Sequence, residues 1–288
     1  QSKLYFVASR YLLPAALVLL TVSADLPATL RLGPKALIMF FTGTLGVMIG
    51  GPVAIWLTSV FAPELLGTGP EAIWRGMATV AGSWIGGSAN QAALYEIFGA
   101  GPDVFSIWIA VDVIVANIWM AVVLWIAANQ TRVDRWLKAD SSAVVAVREK
   151  AEAYELANAR IPTLKDLIII LAVGFGAVGI SHFAADYLSA WFGETYPSLD
   201  QLSLNSSFFW LVLVATIIGV VLSFTPARKL QGAGAAKVGS VFVYILVACV
   251  GLNMNIGAIL ESPVYFLIGG VWMLVHVILM FTVARLIR

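Results

Sequence analysis

Residues 82–91 read Gly-Ser-Trp-Ile-Gly-Gly-Ser-Ala-Asn-Gln, a run of glycines and small polar groups inside a strongly apolar stretch from about Ile73 to Phe98. In a water-soluble chain such a run is an ordinary loop. The stretch around it is suited to lipid, where backbone N–H and C=O groups find no partner. Backbone that leaves helical geometry at membrane depth is tolerated only where protein buries it or where it lines a cavity. The decapeptide therefore predicts a discontinuous membrane helix whose exposed backbone dipoles point into a protein-lined site.

The rest of the chain agrees with a membrane setting. It is 60% hydrophobic and 11% charged, far from the balance of a soluble domain. Its net charge of +1 says nothing about partners, because the charges sit between apolar blocks. No basic stripe runs beside the aromatics, so nucleic acid is not expected as a partner. The single cysteine, Cys249, excludes an internal disulfide and reads as a small packing residue. The chain opens at Gln1 directly before an apolar run, without the pattern of a cleaved signal peptide, and ends at Arg288 just past another. A piece of a longer membrane protein, truncated at both ends, is the expectation.

A spanning helix needs roughly 20 mostly apolar residues. That criterion picks out eight segments: 4–23, 36–61, 73–98, 104–128, 166–192, 207–225, 238–258 and 263–286. Pro14 is expected to kink the first. Gly43, Gly46, Gly50 and Gly51 give the second a small-residue face for close packing. The long hydrophilic connection 129–165 carries Arg132, Arg135, Lys138, Arg148, Lys150, Arg160 and Lys165, which places it in the cytoplasm. Within it, Ala143 to Ala159 has the composition of a surface helix. Arg228, Lys229, Lys237, Arg285 and Arg288 keep the C-terminal half consistent with that orientation.

The N-terminal half disagrees. Counting back from residue 129 puts Arg31 and Lys35 outside and Glu64 and Glu71 inside, against the positive-inside rule. Leu17-Val-Leu-Leu-Thr-Val-Ser-Ala-Asp25, before Pro34 and a Gly-rich helix, is also similar to Ile245-Leu-Val-Ala-Cys-Val-Gly-Leu-Asn253, before Pro263 and a helix with Gly269 and Gly270. As halves of an inverted repeat they must run in opposite directions, yet a count of eight makes them parallel. Either 73–98 is a re-entrant hairpin or one segment between 73 and 225 does not cross.

Several groups are candidates for chemistry. Asp112, flanked by apolar residues in the fourth segment, is costly in lipid unless it faces a cavity or a partner. Asn117 lies about 140° round the same helix, so the two would flank a site. Ser83, Gly86, Gly87, Ser88, Asn90 and Gln91 supply polar groups and flexible backbone beyond what a packing face needs. Asn253 and Asn255 close the seventh segment as a ligand pair or a helix cap. His276 and His182 read as packed histidines before proton relays. Arg10 is near enough to its helix end to snorkel, and Tyr95 and Glu96 are placed to reach either the cavity or the interface. Neither a phosphate-binding loop nor a dinucleotide fingerprint occurs, and no metal-ligand cluster is visible. No cofactor is expected beyond a coupling Na⁺ or H⁺.

Trp74-Arg-Gly-Met-Ala-Thr-Val-Ala-Gly-Ser-Trp-Ile-Gly-Gly-Ser-Ala-Asn-Gln-Ala-Ala93 and Ala110-Val-Asp-Val-Ile-Val-Ala-Asn-Ile-Trp-Met120 closely resemble the bacterial membrane family catalogued as domain of unknown function 819. Leu32-Gly-Pro-Lys-Ala-Leu-Ile-Met39 and Gly232-Ala-Gly-Ala-Ala-Lys-Val-Gly-Ser-Val241 fit the same family, so the resemblance runs along the whole chain. The glycine-rich break resembles the crossed-helix element of sodium–bile-acid symporters, and the layout is similar to that of cation/proton antiporters. That likeness implies an ion role for Asp112, a crossover role for Ser88 and Asn90, and Na⁺ at Asp112, Ser88 and Asn90. It also implies a second small-residue crossover helix beyond residue 288.

The expected protein is all-α and polytopic: an inverted-repeat transporter with a discontinuous crossover helix, in the bacterial cytoplasmic (inner) membrane. Residues 1–128 form the first half, with core helices 73–128. Residues 129–165 form a cytoplasmic linker, and 166–288 an incomplete second half. Its partners are a small, organic solute and the bilayer, with a homodimer left open. Two other readings stand beside it: an intramembrane hydrolase using Ser88 with His182 or His276, and a membrane scaffold without transport.

Overall fold

The computed structural model describes residues 3–24, 33–137, 161–196, 203–252 and 263–287. Asp25, Asn253, Asn255 and the expected surface helix over 143–159 lie outside the described residues. All regular structure among the described residues is helical. Five stretches are long and apolar enough to cross a membrane: Lys3–Val22, Pro34–Phe61, Pro102–Ala128, Leu164–Thr195 and Val264–Ile287. Two shorter apolar helices are Ser207–Ser223 and Ala235–Gly251. In chain order the helices are α1 (Lys3–Val7), α2 (Leu13–Val22), α3 (Pro34–Phe61), α4 (Ile73–Gly86), α5 (Ser88–Phe98), α6 (Pro102–Ala128), α7 (Gln130–Leu137), α8 (Leu164–Thr195), α9 (Ser207–Ser223), α10 (Ala235–Gly251) and α11 (Val264–Ile287).

The helices pack as two compact units, each drawing on both ends of the sequence. One contains α1, α2, α8, α9 and α10, together with residues 96–98. Here α2 is central, with Val18 and Leu19 fully buried. Glycines let three helices close on it: Gly174 of α8 against Leu19, Gly219 of α9 against Val18, and Gly239 of α10 against Leu19, Leu20 and the Ala16 carbonyl. Small residues are what bring backbones together where lipid removes the hydrophobic drive for association.

The bend expected at Pro14 takes the form of a π-helical turn over Ala8–Leu12, in which Leu13 N–H donates to the Ala8 carbonyl. Proline has no N–H to give the carbonyl four residues back, that of Arg10. His182 Nε2–H donates to that carbonyl instead, at 3.0 Å. The Arg10 guanidinium lies 3.7 Å from the Glu96 carboxylate, which also accepts from the Tyr5 hydroxyl.

The other unit contains α3, the α4–α5 pair, α6, α7 and α11. Helices α3 and α11 run antiparallel with their backbones close. Gly43 and Gly46 face His276, while Gly50 and Gly51 face Trp272. Both large side chains spend their polar atoms on α3: Trp272 Nε1–H donates to the Val47 carbonyl at 2.8 Å, and His276 Nδ1 is 3.1 Å from the Gly43 carbonyl. Helix α6 enters the same core through Trp108, fully buried in the notch at Gly76 of α4, and through Val111 against Gly269 of α11.

Segment 73–98, counted as one crossing in the sequence, is two short helices that meet at Gly87. Gly87 has φ +91°, a region glycine enters without strain. The arms fold back on each other, so that a Cβ at Gly82 would sit 3.0 Å from the Asn90 carbonyl oxygen and 2.8 Å from Leu94. Their outer ends also meet, with Gly101 N–H donating to the Pro70 carbonyl at 2.7 Å. At 14 and 11 residues the arms are about 21 and 17 Å long, too short for a hydrocarbon core of about 30 Å.

Gly269 and Gly270 give this packing a paired test. An alanine methyl at Gly269 would lie 2.3 Å from Val111 Cγ1, whereas at Gly270 it meets nothing within 4 Å. Val111 is fully buried and stiff at χ1, so it has little room to yield. Gly269→Ala is expected to cost about 1–3 kcal/mol and Gly270→Ala to gain about 0.5–1 kcal/mol. Melting temperatures of the two purified variants in detergent check the opposite signs.

Candidate functional site at Asp112

Asp112 is ten residues past Pro102, about 15 Å along α6, half the depth of a hydrocarbon core of about 30 Å. It is 8% exposed. A bare carboxylate there is unfavourable by several kcal/mol, and the hairpin supplies its partners from both sides of the Gly87 break. Trp84 Nε1–H, in the last turn of α4, donates to Oδ1 at 2.7 Å. Gln91 Nε2, in the first turn of α5, donates to Oδ2 at 3.1 Å. The Ser83 hydroxyl lies beside the same carboxylate. Hydrogen bonds to a charged group are each worth about 1.5–3 kcal/mol. The acid and the broken helix pair therefore stabilise one another.

The donors are themselves fixed. The Trp84 ring packs at a tilt against Trp272, 4.6 Å between centroids, and Trp272 is anchored on α3 through Val47. The outer end of the hairpin is tied to the start of α6. Glu71 accepts from Val104 N–H at 2.7 Å, placing a negative charge on the positive end of the α6 dipole. Gly101 makes room for it, since a Cβ there would lie 1.8 Å from Glu71 Oε1. Asp112 and the hairpin tip are thereby held in register from two directions.

The sequence candidates divide. Ser83, Gly87, Gln91 and Asp112 come together, with the break between the donors. Ser88 is exposed at the tip. The Asn90 amide lies over Gly86, where a Cβ would sit 1.7 Å from Nδ2, and neither Ser88 nor Asn90 bonds to Asp112 among the described residues. Gln91 and Ser83, rather than Ser88 and Asn90, are the polar side chains that lie beside Asp112 with Trp84. Asn117 is on an exposed face, its amide donating to the Val113 carbonyl at 2.6 Å. Asn253 lies outside the described residues. Among those described, no three His, Cys, Asp or Glu side chains group as metal ligands. Sequence reasoning missed Trp84 and Glu71. Trp84 stood inside the decapeptide, and an indole N–H among small polar residues was the signal to read.

The fold and this site define an all-helical, multi-pass membrane protein with a buried acid at the tip of a helical hairpin. The chain belongs to the family described as protein of unknown function DUF819, whose model matches residues 1–288. No curated protein and no solved structure matches it.

The Gly86–Asn90 contact yields a coupling test. Gly86→Ala places a methyl on the Asn90 amide and is expected to destabilise the hairpin by about 1–3 kcal/mol. Adding Asn90→Ala removes the obstacle, so the double variant should melt above Gly86→Ala alone, giving a coupling energy of about 0.5–3 kcal/mol in a double-mutant cycle. Additive melting shifts would place the amide elsewhere.

Proposed function

We propose that the protein is a secondary active transporter of a small organic solute, coupled to Na⁺ or H⁺, in the bacterial cytoplasmic membrane. The observation that carries this reading is the buried carboxylate Asp112, within a long apolar helix, held by donors on both sides of a helix break. Intramembrane acids mark ion paths and proton relays, and broken helices build substrate and ion sites in transporters. The first-turn N–H groups of α5 and the last-turn carbonyls of α4 have no partner within their own helices, which leaves backbone dipoles of both signs at the break. Ser83 and Gln91 are the oxygens nearest at hand for a cation beside Asp112. A carboxyl group in the same place can instead be the group that takes up and releases the proton of a H⁺-coupled cycle.

Topology supports an inverted repeat. With 73–98 folded back, seven segments cross, and α9 and α10 at 17 residues each meet the minimum for doing so. Setting the 129–165 connection inside then puts Arg31 and Lys35 inside and Glu64 and Glu71 outside, and the connections between segments follow the positive-inside rule. In that count the α2–α3 and α10–α11 pairs run in opposite directions, as an inverted repeat requires. Alternating access would move the Asp112 core against a scaffold.

The hydrolase reading has less support. His182 and His276 each spend a ring nitrogen on a backbone carbonyl, and Ser88 has neither as a hydrogen-bond partner. The protein is therefore proposed not to be an enzyme. A scaffold without transport would tolerate loss of the Asp112 charge.

The test is solute-driven ion movement in proteoliposomes, with a panel of small organic acids, amines and neutral solutes added over a trapped pH- or Na⁺-sensitive dye. At least one solute is expected to move ions with the wild type. Asp112→Asn should abolish Na⁺ or pH dependence in protein that still purifies folded in detergent, with a melting temperature lowered by the weakened hydrogen bonds to Trp84 and Gln91. Unchanged ion dependence in that variant would make Asp112 structural.

A further inference from the structure

At its C-terminal end, α6 gives way to the short helix α7 at Asn129, whose N–H and side-chain amide both donate to the Trp125 carbonyl, at 3.0 and 2.8 Å. Between the end of α6, α7 and the last turns of α11 lies a groove of 480 Å³, lined by Val122, Trp125, Ile126, Val133, Phe281 and Arg132. Its wall is hydrocarbon and indole except at one point, where Arg132 stands exposed. Arg135 follows on α7, and Arg285 is in the last turn of α11. The groove thus opens toward the end of the helices that carries the basic residues, and Trp125 presents 58% of its surface to it and to the surroundings.

We propose that this groove is a binding site for an anionic phospholipid of the cytoplasmic leaflet, with one acyl chain along Val122, Ile126 and Phe281 and the phosphate at Arg132. An occupant must be apolar over most of its length and negative at one end. A bilayer lipid with an anionic headgroup has that form and is at hand at this depth. Basic residues just beyond a helix end attract such lipids, and guanidinium binds phosphate in a two-pronged fashion that ammonium does not. A zwitterionic lipid offers the same chain but brings a positive group against Arg132 and Arg135. The amphipathic order of α7, with Val133 inward and Arg132 and Arg135 outward, lays it along the interface in the way such helices lie. This site is independent of Asp112 and of the transport reading.

Brominated acyl chains quench nearby tryptophan, and Trp125 reports from inside the groove. The full-length chain is reconstituted in vesicles of phosphatidylcholine, with brominated phosphatidylglycerol or brominated phosphatidylcholine as a minor component. The Trp125 signal is the difference between wild type and Trp125→Phe. Quenching is expected at several-fold lower mole fraction of the brominated phosphatidylglycerol. Arg132→Ala should weaken that preference about fivefold, from the contribution of one basic residue near a membrane surface. Val122→Phe, which fills the groove with the arginine in place, should reduce quenching by both lipids while melting stays unchanged. Equal quenching by the two lipids, or a preference unmoved by Arg132→Ala, would make this an ordinary lipid-facing surface. A Trp125 shielded from both lipids would mean that protein covers the groove. Either result overturns the proposal.

Discussion

The structure of the second unit turns on one constraint: a carboxylate placed halfway along an apolar helix has to be given donors. A continuous neighbouring helix cannot supply them from its backbone, because its N–H groups are already engaged. Breaking the neighbour at Gly87 brings two consecutive turns, one on each side of the break, against the same acid. Trp84 and Ser83 come from the descending arm and Gln91 from the ascending one. The glycine pattern then has a physical order. Gly87 makes the turn, Gly82 lets the arms close, Gly86 accommodates Asn90, Gly76 receives Trp108 and Gly101 receives Glu71. Each allows one approach that a side chain would block.

Much of this was legible in the residues. The decapeptide marked where helix geometry lapses, because small polar residues have no packing reason to interrupt an apolar run. Asp112 marked the acid, because its cost in lipid demands a compensating partner. The small-residue face at Gly43, Gly46 and Gly50 announced a close helix contact, though not that Trp272 and His276 would fill it. What the residues left open was geometry over a distance. A 26-residue apolar segment meets the length criterion for a crossing, and only the contact between Pro70 and Gly101 reveals that its two ends come together. The charge conflict in the N-terminal half disappears when that segment is not counted as a crossing.

The site differs from its sequence outline for a related reason. Ser88 and Asn90 were grouped with Asp112 by the likeness to crossed-helix transporters, but beyond the turn at Gly87 Ser88 is exposed and the Asn90 amide lies over Gly86. Ser83, Trp84 and Gln91 lie beside the acid instead. The same kind of displacement occurs at the first helix. Pro14 frees the Arg10 carbonyl, and the distortion appears upstream as a π-helical turn with His182 bonded to it.

Whether the hairpin tip is reached from both sides of the membrane tests the proposed mechanism most directly. Ser88, exposed at the tip, can be replaced by cysteine in a Cys249→Ala background and challenged with a membrane-impermeant thiol reagent in right-side-out and inverted vesicles. Modification from both faces is expected, with the balance between them shifting with Na⁺ or pH and the shift lost in Asp112→Asn. Modification from one face alone under every ionic condition, or from neither, would contradict a site at Asp112 that alternates between the two sides.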